Sequence, residues 1–373
     1  MRCPGTAGHR AAQASADTPA TGKAWLRLLS ILGMLLVVSC AQLPVRPGAQ
    51  PFKVAFIGDT GYDPHDTPAL DSGFEQVLAL VRSEAAHLLA IAGDFSYEEE
   101  TDVARVYFGT INRMLGERFP VLGADGNHDD WSHYQPFFQA RLEKMGLSRT
   151  LISGDEYGLR FGGIQWVILG ERGNAAFVRM QFAHADDAWR VCLWHKNMRD
   201  MQTGDKGEDM DWATYRACQE AGAMIATGNE HSYARTMTLT DLGNREAGHG
   251  ATGTPDRLAV GPGRTFVVVS GLGGRSLRDY ECDAQDDDAW WATVYTSNYY
   301  LKAGTPVAKS CAAGSADADA VVQGYTYGAL FITFNAGGDP TKAEAYFKTI
   351  HGEVIDAFAI IKQQHSRQRA AGW

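Results

Sequence analysis

The sequence predicts an α/β fold built on a parallel sheet, and three observations carry that expectation. Between residues 53 and 126 short apolar runs alternate with longer stretches of helical spacing, in the order strand, helix, strand, helix, strand. Most of the runs end in or beside a glycine, as strands feeding sharp turns do. The composition, 45% hydrophobic and 21% charged over 373 residues, is that of an ordinary globular chain with ample material for a large core.

Taken in order, KVAFIG (53–58) is a short apolar run ending in glycine, and ALDSGFEQVLALVRSEA (69–85) has helical spacing. HLLAIAG (87–93) is a second strand, TDVARVYFGTINRML (101–115) a helix and FPVLGADG (119–126) a third strand, which together imply right-handed βαβ units. Further on, GIQWVILG (163–170) reads as a buried strand, AAFVRMQFAHADDAWR (175–190) as a helix and RVCLWH (190–195) as a strand. DMDWATYRACQEAG (209–222) is a helix and AMIATG (223–228) a strand. RTFVVVSGLGG (264–274) and YGALFITFNAG (327–337) are strands rich in β-branched and aromatic residues. The polar, aspartate-rich segment 279–323 reads as a long insertion pinned by Cys282 and Cys311. No internal repeat and no second linker is visible, so residues 52–373 are expected to form a single domain.

The first 39 residues stand apart. AWLRLLSILGMLLVVSC sets a basic residue before an apolar run too short to span a bilayer comfortably and ending in small residues, which is the pattern of a secretory signal. Its end, LVVSC, resembles the lipobox of bacterial lipoproteins, in which the cysteine, here Cys40, becomes the lipidated first residue. A simple cleaved signal and an amphipathic anchor are the alternatives. The 22 residues before Lys23 are then a long leader or a start codon placed too early. Residues 40–51 read as a lipidated tether, with two prolines and a glycine in AQLPVRPGAQP (41–51). The expected location is outside the cytoplasm, membrane-anchored and facing the periplasm or the cell surface.

Removing residues 1–39 leaves 30 basic against 43 acidic side chains, a net charge of −13. Such a surface repels polyanions and argues against a nucleic-acid partner, leaving small, diffusible substrates. Besides Cys3 and Cys40 there are Cys192, Cys218, Cys282 and Cys311, and sequence proximity favours disulfides Cys192–Cys218 and Cys282–Cys311 over the other pairings. Reduced, buried cysteines are the alternative; the spacing is far from any zinc-ribbon pattern.

The chemistry collects at strand ends. The first gives FIGDTG with Asp59, the second IAGDFSY with Asp94 and Tyr97, and the third ADGNHD with Asn127 and His128. LWH brings His195, and GNEH brings Asn229 and His231. In open α/β sheets sites form at the carboxyl ends of the strands. Alone, an aspartate after a strand is more often a helix cap or an Asx turn, and a lone histidine is more often structural. Five metal-ligand residue types at five strand ends in order are not explained that way.

The series GDTG, GDFSY, GNHD, VCLWH and GNEH resembles the five signature blocks of the calcineurin-like metallophosphoesterases, and within them the purple acid phosphatase branch, which carries GDxG first and GDxxY second. The motifs span residues 54–235, and VVVSGLGGRSLR (267–278) is similar to a later glycine turn of bacterial relatives. The resemblance implies a four-layer αββα sandwich around two metal ions. One ion would be held by Asp59, Asp94, Tyr97 and His231, the other by Asp94, Asn127 and His195 together with position 229. Asp94 would bridge them, and His128 would sit beside the substrate without ligating.

Physical chemistry supports that arrangement independently. Two cations roughly 3.5 to 4 Å apart need a shared carboxylate to screen their repulsion, and they clamp the attacking and departing oxygens of a phosphoryl displacement. The hard phenolate oxygen of Tyr97 favours Fe(III), with a divalent ion (Mn, Zn or Mg) at the Asn127/His195 site. The nucleophile is then a metal-activated hydroxide. His128 would protonate the leaving alkoxide or stabilise charge on the phosphoryl oxygens; the alternative is an imidazole that merely orients Asp59 or Asn127.

The fifth block departs from the family's GHxH. Asn229 offers an amide where an imidazole is expected, which leaves three outcomes: ligation through its carbonyl oxygen, a second site with three protein ligands and water, or an impaired site. Oxygen ligation would make the set harder and shift it from Zn(II) toward Mn(II), Mg(II) or Ca(II). Glu230 should point to the opposite side and not replace it. Lys196, Lys206 and Arg235 are phosphate contacts or solvated surface charges, Trp194 is expected in the core, and His249 is expected as a solvated loop histidine. The acidic run around Asp286 reads as a solvated loop without EF-hand spacing. The expected function is hydrolysis of phosphate monoesters. Phosphodiester hydrolysis on the same core, or a binding protein whose metal site has decayed at Asn229, are the alternatives.

Overall fold

In the computed structural model, residues 49–62, 73–98, 102–185, 188–282, 288–309 and 326–363 are described, all within one compact unit that begins at Pro47. The leader, Cys40, the tether up to residue 48, the acidic run at Asp286 and Cys311 lie outside the described residues.

The elements run β1 (Phe52–Ile57), α1 (Gly73–Ser83), β2 (Leu88–Ala92), α2 (Val103–Leu115), β3 (Val121–Ala124), α3 (Trp131–Lys144), β4 (Tyr157–Phe161), β5 (Ile164–Ile168) and α4 (Ala175–Phe182). Then follow β6 (Trp189–Leu193), α5 (Trp212–Ala221), β7 (Met224–Thr227), β8 (Tyr233–Thr236), β9 (Arg257–Val260) and β10 (Val267–Ser270). The chain closes with β11 (Trp291–Tyr295), β12 (Tyr299–Lys302), β13 (Thr305–Lys309), β14 (Gly328–Phe334), β15 (Lys342–Thr349) and β16 (Val354–Lys362). One sheet has the order β3-β2-β1-β14-β15-β16-β9 and the other β13-β12-β11-β8-β10-β7-β6-β5-β4. The expected parallel core is present twice, as β1–β2–β3 and as β5–β6–β7–β10. Antiparallel strands extend both sheets, including β11–β13 in the polar segment whose sequence reads as an insertion.

The two apolar faces of a strand explain the layers. In β5, Ile164, Trp166 and Ile168 join the core between the sheets, while Val167 and the following Leu169 join a second core under the helices. β10 divides in the same way, with Val268 inward and Val267 and Val269 outward. Continuous apolar runs are what strands buried on both faces require. α1–α3 pack on the first sheet side and α4 and α5 on the second, which completes an αββα sandwich. The disulfide Cys192–Cys218 ties the outer face of β6 to α5. Cys282 is also disulfide-bonded, and its expected partner lies outside the described residues.

α3 has no counterpart in the sequence reading because Pro136 interrupts it and its polar and apolar residues give little contrast. Asp130 caps it by accepting from the Ser132 amide, and Phe138 fills the space over Gly123 of β3, where a Cβ would lie 2.2 Å from the ring. α4 stops at Phe182, short of the expected 190.

Arg235 corrects another expectation. It is neither a surface charge nor a phosphate contact but fully buried in β8, donating to both oxygens of Asp356 in β16 at 2.6 and 3.0 Å. Tyr233 donates to the same carboxylate at 2.7 Å, and the guanidinium lies 4.0 Å above the Phe358 ring. This pair joins the two sheets through the core. Removing one partner strands a buried charge, so Asp356→Ala should lower unfolding free energy by about 3–5 kcal/mol. The Arg235→Met/Asp356→Leu double variant should lose clearly less in urea titrations. Equal losses would show that the charges themselves contribute little.

Candidate functional site

The loops that follow β1, β2 and β3 of one sheet and β6, β7 and β10 of the other meet at one end of the sandwich. Backbone hydrogen bonds lace them together: the amide of Asp59 donates to Gly93 O (3.0 Å), Gly228 to His195 O (3.2 Å), Gly273 to Gly58 O (2.9 Å) and Arg278 to His231 O (2.9 Å). Asp59, Asp94 and Asn229 all hold left-handed backbone conformations, with φ of 54°, 53° and 68°. Such conformations are rare for residues with a side chain and cluster where surroundings over-determine them. Glycines make room for the first carboxylate: a Cβ on Gly228 would lie 2.8 Å from Asp59 Oδ2, and one on Gly271 2.7 Å from the same atom.

The side chains converge tightly. Tyr97 Oη donates to Asp94 Oδ2 at 2.8 Å and lies 3.0 Å from His231 Nε2, which is 3.4 Å from Asp59 Oδ1. His195 Nε2 lies 3.1 Å from Asp94 Oδ1, and ligand-type atoms of Asp59, Asp94 and His195 all fall within 4.8 Å of one another. Both histidines are oriented through their other nitrogen. His195 Nδ1 meets Ala92 O at 2.7 Å and His231 Nδ1 meets Ser276 Oγ at 2.6 Å, which turns each Nε2 toward the carboxylates. Asp129 holds the frame, accepting from the amides of Asp94 (2.9 Å), Phe95 (2.8 Å) and Gly126 (2.9 Å).

Asp59 is fully buried, yet among the described residues neither of its carboxylate oxygens has a hydrogen-bond partner. A buried carboxylate without compensation is strongly unfavourable, so this donor set fits cations. The protein's own charges point the same way. Burial opposes charge on His195, but Asp94 beside it lifts its pKa to about 9. Burial together with Asp59 and Asp94 pushes the Tyr97 phenol well above its ordinary range. A cation relieves both demands by taking the imidazole lone pair and stabilising a phenolate.

Asn127 sits exposed in the turn after β3, beside His128, whose amide donates to Asp94 Oδ1 at 3.1 Å and whose exposed ring lies 4.2 Å from that of Tyr97. Asn229 is buried, with Lys206 bonded to it. Glu230 is buried against Gly204 and Arg278; burial, partly offset by Arg278 and Lys206, raises its pKa to about 7. Lys196 pairs with Glu171 at 3.0 Å, and Trp194 is fully buried edge-on to Tyr215. His249 is not solvated as expected: it is fully buried, stacked on Trp212 and edge-on to Trp290, with Nε2 3.3 Å from Asp200. Ser276 and Arg275, whose guanidinium covers the Tyr97 ring at 4.4 Å, carry no sequence signal except their place in the glycine turn after β10.

The unpartnered carboxylate has a measurable consequence. In protein stripped with chelator, Asp59→Asn should be more stable than the unaltered chain by on the order of 2 kcal/mol, because the buried charge is gone. After divalent metal is added the order should reverse. A chelated variant less stable than its parent would mean that Asp59 is compensated by the protein alone.

Comparison with known proteins bears on this architecture. The chain superimposes on a purple acid phosphatase, PPD1, from yellow lupin (Lupinus luteus) seeds with a TM-score of 0.59 at 15% identity, over 86% of this chain and 55% of that one. It therefore spans little more than half the length of that phosphatase. PhoD matches with a TM-score of 0.44 at 10% identity (82% and 67% covered), and a dimetal phosphatase from Danio rerio with 0.38 at 10% (68% and 93%). A sequence search of curated proteins gives no match. Residues 52–225, which carry the strand ends from Asp59 to His195, match the model of the calcineurin-like phosphoesterases.

Proposed function

We propose that this protein is a two-metal phosphatase acting on small phosphate monoesters. The observation that carries it is the buried Asp59 carboxylate, unpartnered and surrounded by Asp94, His195 and His231. Asp59, Asp94, Tyr97 and His231 would hold one cation, and Asp94, Asn127 and His195 would hold the other. The hard oxygen donors of the first set favour Fe(III), and the second set takes a divalent ion. When bound, the two cations polarise the phosphoryl group and lower the pKa of water enough to supply the nucleophile at neutral pH.

The chain's own residues do the rest. The Ala92 carbonyl, which can only accept, keeps the proton on His195 Nδ1, and the Ser276 hydroxyl orients the His231 ring, so that both Nε2 atoms face the carboxylates. Asp129 fixes the turn that carries Asn127 and His128 to the amides on which Asp94 hangs. His128, exposed at the mouth and steadied by its amide bond to Asp94, donates a proton to the departing alkoxide. The strongly acidic mature chain suits small substrates over polyanionic ones. The leader and Cys40 fit an exported, lipid-anchored form, and the Cys192–Cys218 disulfide is consistent with an oxidising compartment.

An aryl phosphate monoester and the matching aryl diester, assayed on metal-loaded protein, test the proposal. The monoester should turn over at least about tenfold faster, and His128→Ala should lower its kcat about 10²-fold with metal content unchanged. Faster diester turnover would overturn the monoester assignment, and an undiminished His128→Ala rate would remove that residue from proton transfer.

A further inference from the structure

The fifth strand end departs from the family pattern, and the surroundings of Asn229 show what accompanies the change. Asn229 is 2% exposed. Its side-chain Oδ1 and its backbone carbonyl oxygen both accept from the ammonium of Lys206, and Arg278 Nη1 donates to the same carbonyl at 3.1 Å. Of the two amide side-chain atoms only Oδ1 has a lone pair for a metal, and here it is engaged by a cation. A metal ion on that same oxygen would sit beside the ammonium and be repelled by it.

Lys206 is built into this position. It lies half-buried in the segment between β6 and α5, where its carbonyl accepts from the fully buried Gln202 at 2.8 Å. Gln202 also accepts from the Gly204 amide at 2.6 Å, and the Thr203 hydroxyl meets Ser232 at 3.2 Å. A Cβ on Gly204 would lie 2.6 Å from Glu230 Oε2, so the loop presses closely on the GNEH turn. The oxygens that Lys206 touches are neutral, and among the described residues no carboxylate lies within ion-pair distance of it. A half-buried ammonium at the edge of the acidic cluster therefore keeps its charge available to an incoming anion.

We propose that Lys206 is a substrate-binding residue that engages a non-bridging phosphoryl oxygen, and that Asn229 positions Lys206 instead of ligating a metal. This rests on the phosphatase reading above. The exchange of imidazole for amide then has a chemical reason. An imidazole nitrogen bound to a metal has no lone pair left to accept from an ammonium, whereas an amide oxygen accepts readily and leaves the charge intact. The second cation would keep Asp94, Asn127 and His195 as its protein ligands, and the lost histidine would be answered by the positive charge of Lys206 held at Asn229.

The test compares Lys206→Met, Asn229→Ala, their double variant and Lys206→Arg with the unaltered chain. Metal equivalents are counted by elemental analysis, orthophosphate binding is measured by calorimetry on metal-loaded protein, and kcat and KM are measured on a monoester. All four variants should keep the metal content of the parent. Lys206→Met and Asn229→Ala should each weaken orthophosphate about tenfold or more and raise KM more than they lower kcat. The double variant should be no worse than the more affected single, since both act through one contact, and Lys206→Arg should recover most of the affinity. Loss of one metal equivalent in Asn229→Ala but not in Lys206→Met would make Asn229 a ligand and overturn the proposal. Unchanged phosphate binding in Lys206→Met would overturn it as well. Failure of the broader phosphatase reading is seen separately, in the unaltered chain, as absent metal or absent turnover, whereas failure of the Lys206 contact is seen in the variants of a metal-loaded parent.

Discussion

The structure is organised around a buried carboxylate left without hydrogen-bond donors among the described residues. Asp59 is driven into the protein at the end of β1, where its backbone adopts a left-handed turn and Gly228 and Gly271 clear space beside it. Among the described residues none donates a hydrogen bond to its carboxylate. Folding therefore concentrates negative charge that bound cations relieve, and the stability of this end of the sandwich is linked to metal binding by mass action. The two sheets are both required, since Asp59 and Asp94 come from one and His195 and His231 from the other. The buried Arg235–Asp356 pair between β8 and β16 holds those sheets together.

Local features were legible in the sequence, and non-local ones were not. The strand–helix alternation through residue 126 and the five strand ends show because period and punctuation lie within a few residues of each other. The convergence of Asp59, Asp94, Tyr97, His195 and His231 follows from those ends once the strands are parallel and neighbouring. Arg235 was misjudged because its partner is 121 residues away in a strand the sequence reading left unassigned. His249 was misjudged for the same reason: a glycine-rich loop looks solvated until Trp212 and Trp290 are known to close over it. β15 and β16 went unassigned although KAEAYFKT alternates in strand fashion, and α3 was hidden by Pro136.

At Asn229 the sequence located the departure without its meaning. Three outcomes were open there, and none included a lysine from another loop. The Lys206 ammonium reaches the amide across 23 positions of sequence, and no spacing rule links them. A changed ligand position is better understood from what has moved onto it than from what it lacks.

The central claim is that cations occupy the space between Asp59, Asp94 and the two histidines. Anomalous diffraction from crystals of protein purified without chelator, collected across the iron, manganese and zinc absorption edges, tests it most directly. The account predicts two anomalous peaks, one on each side of the Asp94 carboxylate and one of them against Asp59. A well-ordered site with no peak there, in protein that still hydrolyses phosphoesters, would contradict it.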